Sequence, residues 1–279
     1  MEPTGWLVFS SNRPVSGRES VDNREIYAVR TDGTGLVRLT FEPGYDGDPV
    51  WAPTGEQIAF VSDRTGLRQV WVMDADGSNP RQLTDDPDEA SAPDWSPNGE
   101  LIAYNGGPDR SSDIWAVRVA SGETVQLTNN AIQETAPAWS PTGDRIAFMG
   151  KVGEYWQVFV MNAEGSNRRQ ITDEPRDHRF PRWFPDGRRI LFNTRMPAPG
   201  RTPGQIYIMN ADGTNVRQIT LDKEGGNGRA FPSPDGRFIA FNSNREDDNY
   251  EIYIARPDGS EVRRITRTLG DDFQPAWSP

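Results

Sequence analysis

Trp51-Ala-Pro-Thr-Gly55, Trp95-Ser-Pro-Asn-Gly99, Trp139-Ser-Pro-Thr-Gly143 and Trp183-Phe-Pro-Asp-Gly187 recur at steps of 44 residues, and Pro232-Ser-Pro-Asp-Gly236 and Trp277-Ser-Pro279 follow at steps of 49 and 45. A repeat of that length makes the unit, not the chain, the thing to be read. Each unit carries the motif, an apolar run such as Ile58-Ala-Phe60, a second such as Val70-Trp-Val-Met73, and a closing string such as Arg81-Gln-Leu-Thr84. Alternation within the runs, with Ile58 and Phe60 on one face and Ala59 on the other, is the two-residue period of a strand. No segment holds a helical period.

The motif is a turn between the first two strands, because proline presets φ and glycine tolerates positive φ. Ala75-Asp-Gly77, Ala211-Asp-Gly213 and Pro257-Asp-Gly259 mark a hairpin between the third and fourth strands. Four short antiparallel strands cannot bury both faces alone. The units must therefore stack, and radial stacking shelters the sheet edges. The expectation is an all-β fold, a single six-bladed β-propeller over residues 1–279. The chain starts on a second strand (Trp6 to Ser10) and stops inside a first strand (Pro275 to Pro279), so the C-terminal strand is expected to complete the N-terminal blade.

The strings Ile146-Ala-Phe148, Ser62-Asp-Arg64 and Met209-Asn-Ala-Asp-Gly-Thr214, together with the tryptophan motif, resemble the repeats of the TolB-type six-bladed propellers. The resemblance covers almost the whole chain in six co-registered copies. It implies the propeller fold and an extracytoplasmic, periplasmic setting, although Met1-Glu-Pro-Thr-Gly5 lacks the basic and apolar regions of a signal peptide. It implies no chemistry, since propellers host binding, scaffolding and catalysis alike.

The formal net charge of −11 argues against nucleic acid as a partner, because phosphate binding needs a basic footprint. Cysteine is absent, and no run reaches membrane-spanning length. A monomer without membrane insertion is expected. Trp51, Trp95, Trp139, Trp183 and Trp277 share one place on the innermost strand and are read as core filling the gaps between blades. Pro232 holds that place in the fifth copy of the motif and predicts a looser or differently packed blade. Arg38, Arg81, Arg169, Arg217, Arg263 and Arg264 precede the closing threonine and are read as charges on the outermost strand that discourage edge pairing. Arg13, Arg64 and Arg245, each four residues after the aromatic of the second strand, are read as braces for that strand's end.

Function is sought where the repeats differ. From the aromatic of the third strand to the closing threonine is 13 residues in every unit, as from Tyr27 to Thr40 and from Trp71 to Thr84. The link between second and third strands instead varies. It spans 10 residues in units two to four, and 17, 14 and 11 in units one, five and six. Units five, six and one are neighbours in a ring, so Arg13–Arg24 and Arg195–Gly204, which contain Arg18 and Arg201, are expected to rise as walls on either side of blade six. Loops on a rigid scaffold are the usual place for binding.

That face also receives the link into each innermost strand. Asp46, Ala90, Glu134, His178, Asn227 and Asp272 stand five residues before the tryptophan position, with Glu89 and Asp271 one step earlier. This pattern predicts a largely acidic channel mouth. The family resemblance implies an acid at this place in the repeat, which Asp46, Glu134 and Asp272 match and Ala90, His178 and Asn227 do not. Three readings compete. The carboxylates hold turn backbone, attract a basic peptide or protein segment, or bind a hard cation such as calcium, which needs six to eight oxygens and for which no dedicated loop spacing exists here. Asp94 and Arg182 on innermost strands either line the channel or bridge blades.

Catalytic signatures are few. The single histidine, His178, excludes a zinc site of several imidazoles, and no nucleophile elbow, P-loop or dinucleotide fingerprint occurs. The expectation is a non-catalytic, cofactor-free scaffold that docks a protein or peptide partner on the variable face through Asp46, Glu89, Glu134, His178, Asn227, Asp271, Asp272, Arg18 and Arg201. The rivals are a hydrolase or lyase with a carboxylate site, and a sensor domain of a larger receptor.

Overall fold

A computed structural model describes residues 3–14, 23–107, 112–195, 204–220, 225–246 and 248–279. Six four-stranded antiparallel sheets form the blades of a propeller. Blade two is Asp46–Trp51, Gln57–Ser62, Gln69–Asp74 and Arg81–Gln82, from axis to rim. Blades three, four, five and six follow with innermost strands Ala90–Trp95, Glu134–Trp139, Asp177–Trp183 and Asn227–Pro232. Blade one closes the ring. Its innermost strand is the C-terminal Asp272–Trp277, paired antiparallel with Trp6–Ser11, so that Leu7 faces Trp277 and Ser11 faces Asp272.

The constant 13-residue spacing has a physical cause. The closing threonine turns its hydroxyl back onto the third strand and accepts the backbone N–H just before the aromatic. Ile26 donates to Thr40, Val70 to Thr84, Ile114 to Thr128, Val158 to Thr172, Ile206 to Thr220 and Ile252 to Thr266, at 2.8–3.0 Å. The same hydroxyl donates to the residue one step earlier, such as Gln69 at 2.7 Å or Glu251 at 2.6 Å. A two-residue outer strand is thereby fixed with few ladder bonds.

Neighbouring blades are joined by three recurring contacts. The motif tryptophans reach across, Trp95 Nε1 donating to the Val50 carbonyl, Trp183 to Ala138 and Trp277 to Phe231 at 3.0–3.3 Å. Where Pro232 replaces tryptophan, Phe184 of blade five, fully buried, packs with Ile239 and Phe241 of blade six. Of the two expectations for this blade, looser or differently packed, the second describes it. The rim arginines do more than guard an edge: Arg81, Arg217 and Arg263 donate to the Val119, Pro257 and Thr31 carbonyls of the next blade's hairpin. That hairpin also needs its glycine. Gly77 sits at φ +89, and a Cβ there would lie 2.5 Å from the Leu39 carbonyl oxygen of the preceding blade.

Candidate docking face

Each innermost strand carries a bulge, with register shifting between Gly47 and Val50 and at the corresponding place in all six blades. In five of the six bulges one residue is driven into the left-handed region, namely Asp48, Ala92, Ala136, Phe180 and Gln274 at φ 50–59°. L-residues avoid this region by about 1–2 kcal/mol. Bulges bend a strand and re-aim side chains. Ala92, Ala136 and Met149 pack with Phe180. Two ion pairs cross between non-adjacent blades: Arg182 of blade five to Asp94 of blade three at 3.0 Å, and Arg229 of blade six to Asp48 of blade two. Asp94 also accepts the Trp139 N–H at 2.7 Å. Of the two readings for Asp94 and Arg182, the bridge between blades is the one formed.

The acids expected at the channel mouth lie elsewhere. Asp46, Glu134 and Asp272 are 2, 0 and 0 % exposed and sit inside their blades, where a partner could not touch them. The string Ser-Asp/Asn-Arg accounts for the arrangement. One Nη of Arg64 lies 3.1 Å from both oxygens of Asp46, while Arg64 Nε donates to Ser62 Oγ at 2.8 Å. Arg13 does the same with Asp272 (2.9 and 3.1 Å) and Ser11, and Arg245 with Asn227 (2.8 Å) and Ser243. Each guanidinium also lies on the aromatics of strands two and three, Arg13 being 4.1 Å from the Tyr27 ring and Arg64 4.8 Å from Trp71. The middle residue caps the incoming link: Asp63 accepts the Tyr45 N–H, Asn12 that of Asp271 and Asn244 that of Gly226.

Burial still dominates the protonation of these groups. It raises the Asp46 and Glu134 carboxyls and lifts Asp272 to about 6, against the opposing pull of Arg64, Arg168 and Arg13. In blade four, which lacks the arginine of strand two, Arg168 Nε stands 2.9 Å from Glu134 Oε1, yet neither carboxylate oxygen is in hydrogen-bonding alignment. The Thr128 and Asn130 side chains and the Arg168 charge together oppose burial at this carboxyl. In blade five His178 occupies the acid's place, 2 % exposed and against Phe192 at 5.4 Å, with neither ring nitrogen hydrogen-bonded. Burial lowers it to about 4. Glu89 is exposed, Asp271 is half-buried and accepts the Tyr250 N–H, and Arg18 and Arg201 lie outside the described residues.

What opens at the variable face is a cavity of about 540 Å³ across blades five, six and one, within the 300–1,000 Å³ usual for ligand sites. Among the described residues that line it, the cations are Arg24, Arg179, Arg195 and Arg229, and none is Asp or Glu. Asn193, Asn242, Asn244 and Gln274 supply amides, and Phe180, Tyr250 and Phe273 supply rings. Phe273 packs at a tilt against Tyr250, ring centroids 5.2 Å apart, and carries the Arg24 guanidinium 4.6 Å from its centroid. The loop lengths pointed to this sector, but its charge is opposite to the acidic mouth expected. Among the described residues no group of three or more His, Cys, Asp or Glu side chains is placed to hold a metal.

The family model of the TolB beta propeller domain matches residues 69–279. The chain belongs to that family. Its fold superimposes on TolB from Acinetobacter baumannii with a TM-score of 0.84 at 19% identity, over 99% of this chain and 67% of that one. A 59-residue stretch is 42% identical to the Tol-Pal system protein TolB of Geobacter sulfurreducens, which is 21% of this chain but 13% of that protein's length. An oligogalacturonate lyase in complex with manganese shares the fold more distantly, with a TM-score of 0.59 at 16% identity over 95% of this chain and 74% of that one. As a TolB-type propeller, the chain has the architecture of a rigid disc of repeats. The Ser-Asp/Asn-Arg string, quoted above as a mark of the family, is here seen to be an internal clamp.

Proposed function

We propose that the chain is a non-catalytic docking module that binds a protein or peptide segment in the cavity spanning blades five, six and one. The observation that carries this reading is the coincidence of three features in one sector: the longest inter-strand links, the open cavity, and arginine, amide and aromatic side chains converging on it. Arg, Tyr and Phe are the residues that dominate protein interfaces. The surrounding ring is held by repeated clamps, so a ligand meets a surface ordered in advance, which limits the entropy lost on binding.

Membership of the TolB beta propeller family supports a protein-binding role. The lyase among the fold neighbours motivates the rival, an enzyme working through carboxylates. Burial of Asp46, Glu134 and Asp272 removes the acids that such a mechanism would have used at the mouth. The test is selection of a random peptide library on the wild type and on a variant whose links after Phe9 and Phe192 are shortened to the ten-residue length of blades two to four. Docking on this face predicts sequences enriched by the wild type and lost on the variant. Turnover of an oligogalacturonate by the purified chain would overturn the non-catalytic reading.

A further inference from the structure

We infer that the segment docked in this cavity is acidic: an extended stretch of a partner protein bearing at least two carboxylates, held by Arg24 and Arg195. The inference rests on the docking reading above and adds the chemistry of the partner, with a sign opposite to that of the whole chain, whose net charge is −11. Of the four arginines, Arg179 is turned to Asp177 at 2.7 Å and Arg229 to Asp48. Arg24 and Arg195 have no carboxylate within ion-pairing distance among the described residues, and neither has an acid among the other residues lining the cavity. They come from blades one and five, on either side of blade six, so a ligand joining them must cross the cavity.

The reason Arg195 is available lies in the repeat. In blades one, two and six the arginine four residues after the strand-two aromatic is consumed by the buried acid or amide. Blade five has His178 at the acid's place, its ring lying under Phe192. The arginine there comes three residues after Phe192 and ends exposed at the strand terminus. Arg24 is fixed through its backbone, its N–H donating to the Gly44 carbonyl at 3.2 Å, and its guanidinium rests on Phe273. A guanidinium lying on a ring keeps its N–H edge free for a carboxylate, which it can meet with two parallel hydrogen bonds. The Asn244 amide and the Tyr250 side chain line the same cavity, and suit the peptide groups of an extended chain. A cavity with unpaired cations and no acid among its described lining residues disfavours a basic segment by direct repulsion.

The experiment is fluorescence anisotropy of the full chain with three labelled probes: a Glu-Gly repeat peptide, a Lys-Gly peptide of equal length and an oligogalacturonate. The Glu-Gly peptide is expected to bind, to weaken about tenfold with R195Q and further with R24Q/R195Q, and to weaken with added salt. R195Q should melt with the wild type, so its loss of binding reports the site. Lys-Gly binding that depends on the same face would overturn the acidic assignment while leaving the docking reading intact. Glu-Gly binding indifferent to both arginines would overturn the site. Binding of the oligogalacturonate with the peptide ignored would overturn both readings, and binding of no probe would overturn the inference.

Discussion

His178 should make the fold sensitive to acid, and the size of the effect follows from its surroundings. The ring is 2 % exposed, tilted against Phe192 and without a hydrogen-bond partner, so the imidazolium is strongly disfavoured in the folded state. Burial is the leading cause and Arg176 adds to it, while Glu174, Asp177 and Asp173 oppose it, leaving the group at about 4 against 6.5 when unfolded. A folded value below the unfolded one means that the unfolded chain takes up the proton first. Stability is then whole above pH 6.5 and is lost as pH falls toward 4. At pH 5 the difference amounts to about 2 kcal/mol, from a full 2.5-unit gap of about 3.4 kcal/mol. Asp272, raised to about 6, works the other way, since the folded state holds its proton more tightly and gains stability as pH falls through 6. That contribution is common to wild type and variant and cancels in their comparison. The perturbation is His178→Phe, which keeps an aromatic ring beside Phe192, and the assay is equilibrium urea unfolding at pH 7.5 and pH 5. The variant should lose about 2 kcal/mol less than the wild type between the two pH values. Parallel losses would refute the reasoning.

Removing Asp272–Pro279 takes away the innermost strand of blade one, Trp277 and the partner of Arg13, and circular dichroism should show the whole ring unfolded; a truncated chain with a normal melt would contradict closure by this strand. Gly77→Ala meets both a positive φ and the Leu39 carbonyl, whereas Gly66→Ala, at φ +111 with nothing within 4 Å, meets the backbone strain alone. The Gly77 variant should therefore lose more stability in urea, by upward of about 1 kcal/mol, and equal losses would remove the interblade contact from the account. Thr84→Val leaves the Val70 N–H and the Gln69 amide without their shared hydroxyl and should cost about 1–3 kcal/mol in the same assay, an unchanged midpoint counting against the threonine lock.

The fold was legible because each unit states it afresh. The tryptophan motif, the Asp-Gly hairpins and the invariant distance from Trp71 to Thr84 each correspond to a contact that recurs around the ring, and a one-residue change in any of them would break its hydrogen bonds. The arginine braces were legible too. The direction in which Asp46, Glu134 and Asp272 point was not, because position five before the tryptophan fixes a level along the strand and says nothing of which side the bulge presents. A signal was nevertheless present: Asp46, Asp272 and Asn227 occur in blades that have Ser-Asp/Asn-Arg, and His178 and Ala90 in blades that do not. The basic cavity escaped reading altogether. Arg24, Arg179, Arg195 and Arg229 occupy different places in the repeat, and only closure of the ring brings blades five, six and one together around them.

The most direct test of the docking face is amide hydrogen exchange of the chain with and without the saturating Glu-Gly peptide. Slowed exchange is expected in Asn193–Arg195, Gly226–Arg229, Asn242–Asn244 and Phe273–Gln274, with the hairpins at Ala75–Gly77 and Ala163–Gly165 on the opposite face unchanged. Protection confined to those hairpins, or to blades two to four, would contradict it.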